Sequence, residues 1–349
     1  MIAGDGIGNE VVPVAMGVLD SATTAHGITI EWIEFPWSSA YYARTGEMMP
    51  SDGLDSLAEL DAIFLGAIGD PSLPDHVTLW ELLLPIRRTF RQYVNLRPIR
   101  LLPGIVSPLR SSAGIDFVVV RENSEGEYSE IGGRFDRHSP HEFAFQGSVF
   151  SRSGTERVLH YAFELAASRR GHLVSATKSN GIPHSMPFWD ELCEAVASEY
   201  PSVEVESVHI DALAARFVLR PQTLDVVVAS NLFGDILTDL GAAVAGSIGI
   251  APSANLNPER AFPSMFEPIH GSAPDIAGRG IANPIGQIWS GAMMLEHLGH
   301  QECADEIVSA IEGVLTGGKC NTPDLGGDAR TADVGRAIVD QLGANGGRP

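Results

Sequence analysis

Ser230-Asn231-Leu232-Phe233-Gly234-Asp235-Ile236-Leu237-Thr238-Asp239-Leu240 is the stretch on which the reading of this 349-residue chain turns. The largely apolar run 224–229 leads into it and reads as a buried strand, and Leu232, Phe233, Ile236, Leu237 and Leu240 then recur at helical spacing. A strand therefore ends and a helix begins near Ser230. Asp235 and Asp239 are i and i+4 on that helix, so both carboxylates share one face. Two carboxylates so placed are half of a site for Mg²⁺ or Mn²⁺, hard cations that take oxygen ligands and complete their shell with water and substrate. Most acidic pairs at this spacing are merely a solvated helix face, so the spacing alone does not decide between the two.

The rest of the chain narrows the choice. Its length suits two domains or one large α/β unit. There is no run of eighteen apolar residues and no basic-then-apolar leader, so neither a membrane span nor a signal peptide is expected and the cytoplasm is the default location. Cys193, Cys303 and Cys320 are odd in number, widely spaced and without Cys-x-x-Cys, which argues against a disulfide framework or a zinc site. A net charge of −21 makes nucleic acid or an anionic membrane an improbable partner. Against that background Arg87, Arg88, Arg91, Arg97 and Arg100 stand within fourteen residues of one another. Guanidinium groups bind carboxylates in pairs of hydrogen bonds, so the cluster reads either as a pocket for a small di-acid or as a basic stripe neutralising neighbouring acids. Of the 23 basic residues only Lys178 and Lys319 are lysines. A lysine in a chain that otherwise uses arginine hints at proton transfer, because an ammonium can be tuned to lose its proton and a guanidinium cannot.

Gly4-Asp5-Gly6-Ile7-Gly8-Asn9-Glu10 reads as a glycine turn entering a helix over 11–25, with little strand before it. The spacing tempts toward a dinucleotide fingerprint, but Asn9 stands where the third glycine belongs, so the motif is discounted as a nucleotide signature. Strands are expected at 28–32, 62–66, 117–120, 173–177 and 203–209, and helices at 79–90 (with Pro85 against it), 155–168, 188–199 and 210–217, followed by a loose tail from 343. Strand and helix alternate, which argues a layered α/β architecture. Ligands bind at strand ends in such sheets, which draws attention to Arg121 and to Lys178-Ser179-Asn180-Gly181. Glu267-Pro268-Ile269-His270-Gly271-Ser272-Ala273-Pro274-Asp275-Ile276-Ala277-Gly278 holds small residues that allow a flat ring and a ribose to approach closely, and Asp275 suits ribose hydroxyls while repelling a 2′-phosphate. Composition alone also allows an ordinary Gly/Pro surface loop there.

Taken together, Gly4-Asp5-Gly6-Ile7-Gly8, Asn95-Leu96-Arg97-Pro98, Arg121-Glu122-Asn123-Ser124-Glu125-Gly126-Glu127-Tyr128, Lys178-Ser179-Asn180, residues 230–240 and His270-Gly271-Ser272-Ala273-Pro274-Asp275-Ile276 with Ala282-Asn283-Pro284 resemble the β-decarboxylating dehydrogenases, the family of isopropylmalate and isocitrate dehydrogenases. The likeness spans essentially the whole chain in the family's order. Pro74-Asp75-His76-Val77-Thr78-Leu79-Trp80, residues 88–98 and residues 251–260 resemble the tartrate and decarboxylating D-malate branch. The resemblance implies a three-layer α/β/α two-domain isopropylmalate dehydrogenase-like fold rather than the usual Rossmann arrangement. Residues 1–92 plus 247–349 would form the cofactor-binding domain, and residues 93–246 the dimerisation and metal/substrate domain. It also implies a homodimer with shared active sites.

Carried over residue by residue, the resemblance implies that Asp235 and Asp239 ligate Mg²⁺ or Mn²⁺ with Asp211 of a second copy. Arg87, Arg97 and Arg121 would hold the substrate carboxylates, with Arg88 and Arg91 matching less well. Lys178 of the second copy would act on the hydroxyl proton, Tyr128 would protonate the enol carbon, and Asn180 would approach the nicotinamide. His270, Gly271, Ala273, Asp275, Ile276 and Asn283 would hold the adenosine end of NAD, and K⁺ is a further candidate cofactor. The implied reaction is oxidation of a small 2-hydroxy diacid followed by loss of CO₂, D-malate to pyruvate or oxidation of tartrate. Members acting on larger acids read the substituent from the helix before Arg87, where this chain offers Trp80, Glu81, Leu83 and Leu84. Those residues supply no partner for a third carboxylate and so disfavour isocitrate, while the leucines leave 3-isopropylmalate as the runner-up. A metal-dependent phosphohydrolase or a non-catalytic organic-anion-binding protein would use the same charged residues but leave the 270–283 loop unexplained.

Overall fold

The structure, a computed structural model, describes residues 1–345; residues 346–349, the end of the expected tail, lie outside the described residues. The elements in order are β1 (Ile2–Gly4), α1 (Gly8–Ala25), α2 (Ser39–Thr45), α3 (Gly53–Ala58), β2 (Ala62–Ala67), α4 (Asp75–Thr78) and α5 (Leu84–Thr89). Then come β3 (Val94–Arg100), β4 (Asp116–Glu122), β5 (Gly132–Phe135), β6 (Phe143–Gln146), α6 (Arg152–Ser168), β7 (His172–Thr177), α7 (Ser185–Ala197), β8 (Glu204–His209), α8 (Ile210–Leu219), β9 (Val226–Ala229) and α9 (Asn231–Val244). The chain closes with β10 (Pro252–Leu256), β11 (Ser264–Pro268), α10 (Ile285–His297), α11 (Gln301–Gly317) and α12 (Thr331–Asn345). Two compact units result: Met1–Gln92, Arg100–Ser112 and Ala242–Pro349 form the first, and Tyr93–Ile99 with Ala113–Gly241 the second.

In the first unit the strand order is β1-β2-β11-β10. β1 and β11 run parallel to β2, with Ile2 opposite Leu65 and Met265 opposite Ile63. β10 is antiparallel to β11, Pro252 facing Pro268, so the sheet is mixed. α10 is buried at every position from Ile285 to Leu295. A helix apolar all round belongs in an interior, and α10 packs against α1, α11, β10 and β11. The second unit has the order β3-β4-β9-β7-β8, with β4, β9, β7 and β8 parallel, and α6 and α7 packed on it. All four residues of β9 are buried, as a Val-Val-Val-Ala run requires, each valine contributing about 1.5–3 kcal/mol of hydrophobic stabilisation. This is an α/β two-domain fold.

Three local expectations change. Residues 28–32 are not a strand: β1 is three residues long, Met1 donates its ammonium to the Ile33 carbonyl at 2.6 Å and Phe35 N–H reaches Met1 at 2.9 Å, and no backbone N–H of 29–34 finds another backbone acceptor among the described residues. The helix expected at 79–90 forms but starts earlier, running from Asp75 to Thr89, and it carries a π turn at Leu79–Leu83 where Pro85 has no N–H to give the preceding turn. The π turn places Leu82, Leu84 and Ile86 in the core and leaves Glu81 exposed, so Leu84 does not present itself to a ligand as the sequence suggested. Pairing at β5–β6, Gly132 opposite Gln146 and Phe135 opposite Phe143, and at β10–β11 was not foreseen.

Candidate active site

In the second unit the quoted stretch does what its pattern required. β9 ends at Ala229 and α9 begins at Asn231. Glu127 caps that junction, accepting from Ser230 Oγ at 2.8 Å and Leu232 N–H at 3.1 Å, where the positive end of the helix dipole favours a carboxylate. Gly234 has to be glycine, since a Cβ there would lie 2.6 Å from Arg121 Cβ. Arg121 lies at the end of β4 and is buried. Its Nε and Nη2 both donate to Asn231 Oδ1, at 3.1 and 2.6 Å, and its Nη1 makes a short ion pair with Asp235 Oδ1. Arg97 on β3 donates to the same Asp235 oxygen at 3.3 Å and to Thr238 Oγ1 at 2.5 Å. Tyr128 donates its phenol to Asp235 Oδ2 at 3.0 Å, and its ring lies 5.6 Å from the Arg121 guanidinium. Asp235 is thus the point at which two buried guanidiniums and one phenol meet.

Asp239, one turn on, is exposed. Desolvation pushes its carboxyl above the ordinary range; Arg97 pulls it down, Asp235 raises it and Arg121 lowers it. Two carboxylates on one helix face amid cationic side chains provide hard oxygen donors for Mg²⁺ or Mn²⁺. They fit the cation incompletely, however, for no three His, Cys, Asp or Glu side chains come together as a metal site among the described residues. Asp211 sits at the start of α8 in an ion pair with Lys178, Nζ to Oδ1 2.8 Å, and this hydrogen bond holds its carboxyl below the usual range. Lys178 and Asn180 follow β7, as the strand-end argument placed them, and Asn180 is exposed.

The first unit holds the remaining expected residues. Arg87, near the C-terminus of α5, is buried; its Nη2 meets Glu267 Oε1 at 2.7 Å while its Nε has no hydrogen-bond partner. Asn255 Nδ2 donates to the same Glu267 oxygen at 2.7 Å. The arginine cluster is not one pocket: Arg88 stacks over Trp80 at 5.1 Å, Arg91 over Phe262 at 5.8 Å, and Arg100 pairs with Glu312. In the loop after β11, His270 keeps Nδ1 3.0 Å from the Gly271 carbonyl, and its Nε2 is buried without a partner. Burial lowers its pKa, which keeps the ring neutral at pH 7. Gly271 and Asp275 are exposed, whereas Ala273 and Ile276 pack against Ile7, Val11 and Ala282. Asn283 caps α10 through Oδ1 to Ile285 N–H at 3.0 Å and gives Nδ2 to Asp324 at 3.1 Å. An orphaned histidine nitrogen, an open glycine and an exposed carboxylate on one loop fit the adenosine half of NAD. Glu267, Asn231 and Thr238, which hold the guanidiniums, were not foreseen; a lone acid within the wholly buried Ser264–Pro268 strand was the available signal for the first.

The three cysteines are free, and burial pushes the Cys193 thiol up to about 11, so it is no nucleophile at neutral pH. Among the described residues no helix is long and apolar enough to cross a membrane.

The family model of isocitrate/isopropylmalate dehydrogenase matches residues 1–338, and the chain belongs to that family. It is therefore an enzyme, a dehydrogenase. It is 55% identical over 343 residues to a probable tartrate dehydrogenase/decarboxylase of Bacillus subtilis (98% of this chain, 96% of the relative). It is equally 55% identical over 347 residues to the decarboxylating D-malate dehydrogenase of Escherichia coli K12 (97% and 96%). Among solved structures, isocitrate dehydrogenase from Methylococcus capsulatus superimposes with a TM-score of 0.89 at 34% identity, covering 98% of each chain.

Proposed function

We propose that this chain oxidatively decarboxylates a small 2-hydroxy diacid with NAD and Mg²⁺ or Mn²⁺, turning D-malate into pyruvate and CO₂ and also oxidising tartrate. The observation that carries the reading is the cluster at Asp235: Arg97, Arg121 and Tyr128 converge on a carboxylate whose helix offers a second one, Asp239, on the same face. Arg97 and Arg121, with Arg87, bind the substrate carboxylates through their fork of donors. Lys178 of the second copy, acting as the free amine once its ammonium has released a proton to solvent, takes the hydroxyl proton as the C2 hydride leaves. Decarboxylation of the resulting β-keto acid leaves an enolate, and Tyr128, whose phenol donates to Asp235, delivers a proton to carbon and is reprotonated from water. When bound, NAD would supply the hydride acceptor, and a divalent ion, which Asp235 and Asp239 with Asp211 of a second copy would hold, would supply Lewis acidity for the developing oxyanion. Asn180 would approach the nicotinamide, and His270, Gly271, Ala273, Asp275, Ile276 and Asn283 would hold the adenosine end.

A second copy is supported by what one chain leaves bare. The β5–β6 ribbon carries Phe135, Phe143 and Phe145, each about half exposed (47%, 55% and 55%), and α9 exposes Ile236 at 58% beside its acidic face. Apolar surface of that size on an otherwise acidic chain calls for a cover. Among the described residues no third carboxylate joins Asp235 and Asp239, which points the same way. The substrate is tested by kcat/KM with Mn²⁺ and NAD: D-malate or L-tartrate should exceed 3-isopropylmalate. Preference for 3-isopropylmalate by about tenfold, some 1.4 kcal/mol of transition-state discrimination, overturns the substrate assignment.

A further inference from the structure

The glycine turn Gly4-Asp5-Gly6-Ile7-Gly8-Asn9-Glu10, set aside above as a nucleotide signature, has a different job. Glu10 lies in the first turn of α1, and its two carboxylate oxygens take separate partners: Oε1 accepts the Gly278 N–H and Oε2 the Gly280 N–H at 2.7 Å. At the other end of the same loop, Ile7 N–H donates to the Ser272 carbonyl at 2.9 Å. The turn approaches that carbonyl so closely that a Cβ on Gly6, which has φ +51°, would lie 2.0 Å from it. Between these anchors Ala273 and Ile276 pack on Ile7 and Val11. The segment 272–280 closes turns of its own, with Ile276 and Ala277 N–H on the Ala273 carbonyl and Arg279 N–H on the Ile276 carbonyl, and Thr331 N–H meets the Gly280 carbonyl; it is tied to the 4–10 turn at one end by a backbone amide and at the other by a carboxylate.

We infer that Glu10 is a positioning residue for the cofactor: its carboxylate holds the loop 272–280 in the shape that presents Asp275 and Ala273 to the adenosine of NAD. The inference rests on the reading of that loop as the NAD site. A pair of backbone N–H groups on one carboxylate is a charge-assisted arrangement that neutral side chains reproduce only in part. Glutamine offers one carbonyl acceptor in place of two oxygens, and alanine none, so the effect should be graded.

The test uses the full-length enzyme. Hydrogen exchange without NAD should show the Gly278 and Gly280 amides of Glu10→Ala exchanging faster by about tenfold or more, Glu10→Gln falling between it and wild type, and the middle of α1 unchanged. In turnover, KM for NAD should rise about tenfold in Glu10→Ala and less in Glu10→Gln, with kcat within about twofold, the loss expected for hydrogen bonds to a charged group that orders the free enzyme. If Glu10→Ala fails to fold, Glu10→Gln alone decides. Wild-type protein whose residues 272–283 gain no protection with NAD overturns the cofactor reading and the inference with it. Protection of wild type by NAD, combined with variant exchange and KM unchanged, or with kcat falling while KM holds, overturns the inference alone.

Discussion

Arg121 and Asn231 are joined by one oxygen: Asn231 Oδ1 accepts from both Nε and Nη2 of a guanidinium that is only 3% exposed. That single acceptor turns the guanidinium so that Nη1 reaches Asp235. Asn231→Ala should leave two N–H groups of a buried cation without their acceptor, costing about 1–3 kcal/mol of stability and loosening the orientation of Arg121. Urea unfolding should show the loss, and kcat/KM for D-malate should fall about tenfold or more, chiefly through KM. Full stability and full activity in the variant would mean that Asn231 does not orient Arg121.

Glu267 holds Arg87 and Asn255 at once in the interior of the first unit. Removing it strands a buried guanidinium, so Glu267→Ala should destabilise the protein by about 3–5 kcal/mol. The double variant Arg87→Ala/Glu267→Ala should recover part of that loss, since neither partner is then left alone. A double-mutant cycle by chemical denaturation measures the coupling, and strictly additive losses would show the pair to be energetically independent.

His297 gives the acid limb of stability a defined position. Burial first, and Arg260 second, bring its pKa down from 6.5 to about 4, with Ser264 Oγ 3.1 Å from Nε2. The native ring stays neutral across a window in which the unfolded chain takes up a proton, so stability is full above about pH 6.5 and declines as the pH falls toward 4. Unfolding midpoints of wild type and His297→Gln across this window should converge as the pH drops; parallel curves would remove His297 as the cause.

The parts of the molecule written in periodic patterns were legible. The α9 stripe placed Asp235 and Asp239 on one face because 3.6-residue periodicity is insensitive to what surrounds the helix, and the apolar run before it could only be a buried strand. The glycine turn was read correctly as a turn, but the hydrogen bond of Glu10 to Gly280 was out of reach, because that partner is some 270 residues away in sequence. The same limit hid Asn231, Thr238 and Glu267, polar residues whose worth depends on which guanidinium the fold delivers to them. The β5–β6 ribbon escaped notice because all its residues are exposed, so neither face imposes an alternation on the sequence. Residues 28–32 failed for the opposite reason: their composition suits a strand, but β1 is too short to pair with them.

If Asp235 and Asp239 of one copy work with Asp211 and Lys178 of another, subunit complementation should restore activity. Asp235→Ala and Lys178→Ala, each expected to be inactive alone, are co-expressed with different tags and the mixed dimer is purified. In that dimer one site carries both substitutions and the other neither, so activity should return to about half of wild type per dimer. A mixed dimer as inactive as its two parents would mean that the two residues belong to a site within one chain and that the sites are not shared between copies.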